Sequence, residues 1–231
     1  MTALPAPKVQ SPPRRRLSPA ERERDIVAGA VAFFAEHGFD GATRDLARRL
    51  GITQPLLYRY FPGKDALLDR VYQEVYQSRW RTEWETEIAD RSVSIDERLK
   101  RFYRAYAALI QTYEWVRLFM FAGLKGLDFN SRYLAFLRAR LFDRIVMEIR
   151  AAHGLDETAP VTEAEIELIW SLHAAIFYIG VRKFIYGMPI PADLDADIDF
   201  KVNAFLHGAP AAFAAVLPQP ALAGKAGARK K

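Results

Sequence analysis

Between residues 18 and 217 apolar side chains recur at helical spacing almost without interruption, and no stretch shows the period-two alternation of a half-buried strand. A chain patterned in this way folds as an all-α protein. Helix signals fall where a string of helices needs them. Ser18-Pro19-Ala20-Glu21 reads as a capping box with proline in the first turn: the serine oxygen accepts from an otherwise unpaired N–H and the glutamate reaches back to the cap. Ser94-Ile95-Asp96-Glu97 and Thr162-Glu163-Ala164-Glu165 repeat the pattern, and Gly38, Gly126, Gly154 and the group Gly187, Pro189 and Pro191 are the matching stops. About nine helices are expected, with long ones near 94–113, 163–186 and 193–217. The early helices are short and closely spaced. This predicts a small amino-terminal unit at 18–62 and a larger helical bundle at 63–217, joined by one helix over about 63–90.

Composition narrows the reading. The 231 residues include no cysteine, so neither disulfides nor thiolate metal sites hold the fold, and a 51% hydrophobic share is enough for a buried core. Lys8, Arg14, Arg15 and Arg16 stand in an acid-free stretch 1–17, and Lys225, Arg229, Lys230 and Lys231 in an acid-free stretch 218–231. The body between them carries the remaining 25 basic residues against 28 acidic ones, so the formal +5 of the chain sits in its ends. Rich in Pro, Ala and Gly, both ends lack apolar surface to bury and are expected to be flexible basic tails suited to a polyanion. The amino-terminal stretch has no apolar run of the roughly 7–15 residues a signal peptide needs. The longest nearly apolar run, 170–181, falls short of the ~20 residues of a spanning helix, so a soluble, cytoplasmic protein without membrane contact is expected.

The densest information lies from Thr43 to Phe61, TRDLARRLGITQPLLYRYF. Leu46, Ala47 and Leu50 make the inward face of one short helix, Gly51 is the turn residue, Ile52 plugs the gap, Thr53 caps a second short helix, and Leu57 with Phe61 turn that helix inward. This spacing is a helix-turn-helix. With Leu57 and Phe61 buried, Thr53, Gln54, Pro55, Tyr58 and Arg59 lie at the start or on the outer face of the second helix, where a major-groove reader presents its contacts. The residue types suit that work: Gln bonds adenine in a bidentate pair, Arg does so to guanine, Thr and Pro meet a thymine methyl, and Tyr reaches phosphate. Charge follows the same geography. Residues 44–64 hold five basic side chains against Asp45 alone, whereas residues 18–43 are net −3.

The stretch from Arg24 to Leu68, centred on AFFAEHGFDGATRDLARRLGITQPLLYRYFPGKDALL, resembles the DNA-binding domain of the tetracycline repressor (TetR) family of bacterial regulators. The resemblance covers about a fifth of the chain. It implies that Gln54, Pro55, Leu56, Tyr58 and Arg59 occupy base-reading or groove-facing positions, and that Thr43, Arg44, Tyr60 and Lys64 contact phosphates or flanking bases of a double-stranded operator. The link from Gly38 to Leu46 is one residue shorter than in many members, where a second threonine precedes the position of Thr43.

In the bundle, the helix near 163–186 is apolar almost all round, so it is expected to face its own core on one side and a second subunit on the other. Its small residues Ser171, Ala174, Ala175 and Gly180 would admit a close-packed partner helix. Paired with the helix near 193–217 it would build a two-fold, four-helix homodimer interface, which the resemblance also implies. Two-fold symmetry suits a short reading helix, because it doubles the site. The middle helices are rich in aromatic residues, most of them core. The resemblance implies an effector cavity among them, for which Tyr106, Trp115, Phe119, Met120, Tyr133, Phe136, Trp170, His173 and Phe177 are the candidates. Walls of this kind favour a mostly apolar small molecule. His173 on such a helix reads first as a satisfied core or interface histidine.

No catalytic constellation, phosphate loop or metal cluster is legible, so neither enzyme activity nor a cofactor is expected. Asp193, Asp195, Asp197 and Asp199 alternate like a calcium loop, but Ile198 and Ala204 stand where that loop needs glycine and a carboxylate, and acids at a helix start complement the macrodipole. The combined expectation is a homodimeric transcriptional regulator, a repressor released from a palindromic operator by a small effector. An all-α ligand-binding or enzymatic protein that no longer reads DNA, and a nonspecific binder driven by its tails, are the alternatives.

Overall fold

In the computed structural model, which describes residues 17–217, Ser18 Oγ accepts from the Glu21 N–H at 3.2 Å, and the Ser18 N–H donates to Glu21 Oε2 at 2.8 Å. The closed capping box opens α1 (Pro19–His37), which ends at Gly38 with φ +72°, a conformation that suits glycine. Two short helices follow, α2 (Thr43–Arg49) and α3 (Gln54–Tyr60), then α4 (Lys64–Tyr72), which runs into a π-helical turn, Gln73–Gln77. The remainder is α5 (Glu83–Ala89), α6 (Ile95–Ile110), α7 (Tyr113–Leu124), α8 (Phe129–Leu137) with a second π turn (Arg138–Phe142), α9 (Asp143–Ala152), α10 (Glu163–Phe184) and α11 (Leu194–Val216). The regular secondary structure of the described residues is all helical, with no strand among them. The basic tails expected at 1–17 and 218–231 lie outside the described residues, Leu17 apart.

The helix expected over 63–90 is two helices. The chain breaks after the first π turn, where Ser78 Oγ donates back to Glu74 O at 2.7 Å, and Trp80 folds edge-on to Trp84 and Phe136 with ring centroids 5.1 and 4.9 Å away. The helix expected over 94–113 likewise stops at Ile110, because Thr112 caps a new helix by accepting from the Trp115 N–H at 3.3 Å. Ser94 caps α6, but Glu97 does not close the box; it pairs with Arg101 at 2.8 Å. The Thr162 box closes fully, with the Thr162 N–H donating to Glu165 Oε2 at 2.9 Å.

One hydrophobic core runs from Ile26 in α1 to Phe213 in α11. By length and composition α10 is apolar enough to cross a membrane, a test the run 170–181 does not meet; in the fold it packs against α6, α7, α9 and α11, with half of its apolar window buried. Gly180, expected on a partner-facing surface, is buried instead: a Cβ there would stand 2.5 Å from Gln111 Oε1 and 2.8 Å from Val116 Cγ2, so the glycine lets α10 sit close to α7. Three of the aspartates at the start of α11 have their own partners. Asp193 caps Ala196 N at 2.9 Å, Asp197 pairs with Lys201 at 2.6 Å, and Asp199 holds Arg104 Nε at 2.7 Å.

Tyr103 in α6 is fully buried and its hydroxyl has no hydrogen-bond partner among the described residues. Burying an unpaired hydroxyl costs about 1–2 kcal/mol, so Tyr103→Phe is expected to raise stability by about that amount in urea unfolding. A loss of stability in that variant would contradict the assignment.

Candidate nucleic-acid interface

The α2-turn-α3 unit is built as its sequence requires. The Leu50 N–H donates to Leu46 O at 3.0 Å, Gly51 takes φ +63°, and the Ile52 N–H returns to Ala47 O at 3.0 Å, which closes the end of α2 and reverses the chain. Thr53 Oγ1 then caps α3 by accepting from the Leu56 N–H at 3.3 Å. Leu46 and Leu57 are fully buried and Phe61 nearly so, against Ile26, Ala30, Phe33 and Phe34 of α1. Burying Leu57 and Phe61 leaves Pro55, Tyr58 and Arg59 exposed on the opposite face, with Gln54 half-buried beside them.

Three of the nominated residues form a compact polar cluster. Thr43 Oγ1 and Tyr58 Oη lie 2.8 Å apart, and Gln54 Nε2 donates to them at 3.1 and 3.2 Å. The hydrogen bonds from Thr43 and Gln54 hold the Tyr58 phenol below its ordinary pKa. Thr43, expected among the phosphate contacts, is buried with its hydroxyl turned toward the other two, so it supports the exposed face from behind.

The other candidates fall into distinct positions. Arg44 and Arg59 are exposed and make no ion pair among the described residues. Lys64 reaches back to Gly41 O at 3.1 Å, with its ammonium 5.9 Å from the Phe34 ring centroid. Tyr60 is half-buried against the core, and Leu56 is half-buried beside Leu50 and Ile52. Among the basic side chains counted with this face, Arg49 turns away to a bidentate pair with Glu36 at 2.5 and 2.7 Å, and Arg48 pairs with Asp45 at 3.0 Å. Arg44 and Arg59 are therefore its unpaired arginines.

An anchor not legible in the sequence ties this unit to the bundle. Arg117 of α7 donates from Nε to Ala35 O at 2.6 Å, capping the end of α1, and lies 5.1 Å from the ring centroids of both Tyr113 and Phe121. Phe39 meets Phe129 edge-on at 5.5 Å, and the Arg132 guanidinium covers Tyr72 at 4.1 Å. No local pattern marks the contacts Arg117–Ala35, Phe39–Phe129 and Tyr72–Arg132, whose partners are remote in sequence.

The aromatic candidates of the bundle assemble into two joined groups. Trp115, Phe119, Tyr133 and Phe177 pack together with Tyr76, which the sequence reading did not single out. Tyr106, Phe142 and Trp170 meet around His173, and the Tyr106 and Tyr133 hydroxyls, 2.9 Å apart, join the groups. Phe136 stands apart against Trp80, and Met120 is half-buried at the edge of the core. The rings are closed on one another, as a core is. His173 is a core residue but not a satisfied one: its Nδ1 has no partner among the described residues, and burial pushes its pKa down to about 4.

Comparison with known proteins places these observations. Residues 26–71 match the family model described as bacterial regulatory proteins, tetR family. Comparison with curated protein sequences finds no match. Among solved structures, a TetR-like transcriptional regulator from Rhodococcus sp. RHA1 is 22% identical, with TM-score 0.62, covering 85% of this chain and 99% of its own. A TetR family regulator from Pseudomonas syringae pv. tomato str. DC3000 is 19% identical, with TM-score 0.54 over 80% of this chain and 95% of its own. A tetR-family regulator from Streptomyces coelicolor is 19% identical, with TM-score 0.53 and 85% of each chain covered. The chain thus has the all-helical TetR-like regulator fold, and its helix-turn-helix segment matches the tetR family of bacterial regulatory proteins.

Proposed function

We propose that this chain is a sequence-specific transcriptional regulator, a repressor that binds a palindromic operator as a homodimer and releases it when a small, mostly apolar effector enters the bundle. In this reading residues 18–62 bind DNA and residues 63–217 carry dimerisation and effector binding. The observation that carries it is the outer face of α3: Gln54, Pro55, Tyr58 and Arg59 stand together opposite the buried Leu57, with exposed Arg44 on the adjoining helix. The two-fold partner fits the far side. Ser171, Ala174, Ala175 and Tyr178 make an exposed stripe on α10 at helical spacing, and Phe200, 71% exposed, stands with Ala204 and Ala211 on α11. The aromatic layer of α6, α7 and α10 is the proposed effector region. The Arg117 contact on the end of α1 supports a route by which its rearrangement moves the reading helices.

Selection from random duplex DNA at about physiological salt is expected to return a palindrome. On that sequence Arg59→Ala is expected to bind roughly five- to 150-fold more weakly, the discrimination lost with one bidentate base contact, while binding to scrambled DNA changes little. A selection that enriches no sequence would overturn the proposal.

A further inference from the structure

The polar cluster behind α3 determines how Gln54 presents its amide. A glutamine amide carries a donor end and an acceptor end that differ only in which way the group is turned, and the surrounding hydrogen bonds decide between them. Here three contacts of hydrogen-bond length close a triangle among the Gln54 amide, Thr43 Oγ1 and Tyr58 Oη. With the amide oxygen turned inward, only the two hydroxyl hydrogens would serve three oxygen–oxygen contacts, and one contact would have no hydrogen of its own. The structure has the nitrogen inward, where one N–H reaches both hydroxyls and a hydroxyl hydrogen joins them.

The triangle also says which hydrogens are used. The two hydroxyl oxygens are 2.8 Å apart and stand 3.1 and 3.2 Å from Nε2, so they subtend a far narrower angle at the nitrogen than the roughly 120° between its two N–H bonds. One N–H is therefore shared between both hydroxyls, and the other is left for a further partner. Neither Oε1 nor the second N–H has a partner among the described residues.

We propose that Thr43 and Tyr58 are positioning residues that lock the Gln54 amide with its oxygen and second N–H outward, so that it reads adenine in the major groove and rejects guanine. Adenine offers a donor at N6 and an acceptor at N7, the complement of that fork, whereas guanine offers acceptors at both O6 and N7 and would face the locked oxygen. The lock removes the rotation by which a free glutamine would present N–H groups to guanine. Thr43 is buried and acts only through Gln54; Tyr58 is 40% exposed, so it can hold the amide and still face the DNA backbone.

This inference rests on the DNA-reading function proposed above, and its test separates the two. Random-sequence selection is run on the full chain and on T43V, Y58F, the double variant and Q54A, each checked for unchanged helical content. Q54A identifies the half-site position that Gln54 reads. The wild type is expected to prefer adenine over guanine there by roughly five- to 150-fold, the range for one bidentate contact. The double variant is expected to lose most of that ratio at that one position, while preferences elsewhere in the site persist. A uniform fall in affinity with the adenine ratio unchanged would mean that Tyr58 serves phosphate alone, and would overturn the lock. A wild-type preference for another base at the Gln54 position would also overturn it. Failure to enrich any sequence would overturn the DNA-reading function itself.

Discussion

Arg150→Met is expected to lower the stability of the fold by about 3–5 kcal/mol, because it removes one partner of a fully buried ion pair and leaves the other charge without compensation. Arg150 and Glu165 are both at zero side-chain exposure. The guanidinium uses all five of its donors: Nε and Nη2 on the Glu165 carboxylate at 2.8 and 2.6 Å, and the rest on Asp156 O at 3.1 Å, Ala159 O at 2.6 Å and Pro160 O at 3.1 Å. It therefore staples the loop between α9 and α10 to the first turn of α10. Burial alone would raise the Glu165 pKa, but the Arg150 and Thr162 hydrogen bonds outweigh it and hold the carboxylate below its ordinary value. Without Arg150 that carboxylate keeps only its Thr162 contacts. Urea unfolding at pH 7 measures the loss. The double variant Arg150→Met with Glu165→Gln is expected to recover part of it, since no charge is then left buried. A loss below about 1 kcal/mol in the single variant would contradict this account.

The second large effect is a dependence on pH carried by His173. Burial depresses its pKa from 6.5 to about 4, so between those values the unfolded chain binds a proton that the folded chain does not. Stability that is fully present above pH 6.5 is therefore lost as pH falls, at about 1.4 kcal/mol per unit, and about 3 kcal/mol is gone by pH 4. The carboxylates Glu148 and Glu165, both held below their ordinary range, add their own loss at lower pH, beneath the ordinary carboxylate value of 4.5. Denaturation midpoints at pH 8, 6.5, 5.5 and 4.5 test this: His173→Phe is expected to flatten the upper part of the curve and leave the acid limb. An unchanged slope between pH 6.5 and 4.5 in that variant would assign the dependence elsewhere. Tyr106, Phe142 and Trp170 surround the imidazole, so this acid loss would be felt first in the aromatic layer proposed for the effector.

Much of the architecture was legible because its signals are local. A helix start depends on a cap and a carboxylate three residues on, so Ser18 and Thr162 could be read from the chain alone, as could the turn glycine at Gly51. Where signals compete, the pattern along the chain did not say which would win. Glu97 abandons its cap for Arg101, Thr112 starts a helix inside an expected one, and Trp80 breaks another to reach the Trp84 and Phe136 rings. Gly180 shows the same limit: its small size was legible, but not whether it admitted a partner subunit or α7.

In the nominated interface, helical spacing separates Leu57 and Phe61 from Tyr58 and Arg59, because a period of 3.6 residues puts them on opposite faces of α3 once the core is known to be apolar. It does not show that Thr43, eleven residues before Gln54, stands within hydrogen-bond reach of it, or that Arg49 turns to Glu36 while Arg59 stays unpaired. By itself the sequence determined the helical class, the helix-turn-helix and the residue types of its outer face, since these follow from capping and periodicity within a few turns. Only the tertiary structure decided how the Gln54 amide is turned, which arginines are unpaired, and how Arg117 holds the end of α1. Each of these depends on the distance between side chains on different helices, and packing sets that distance.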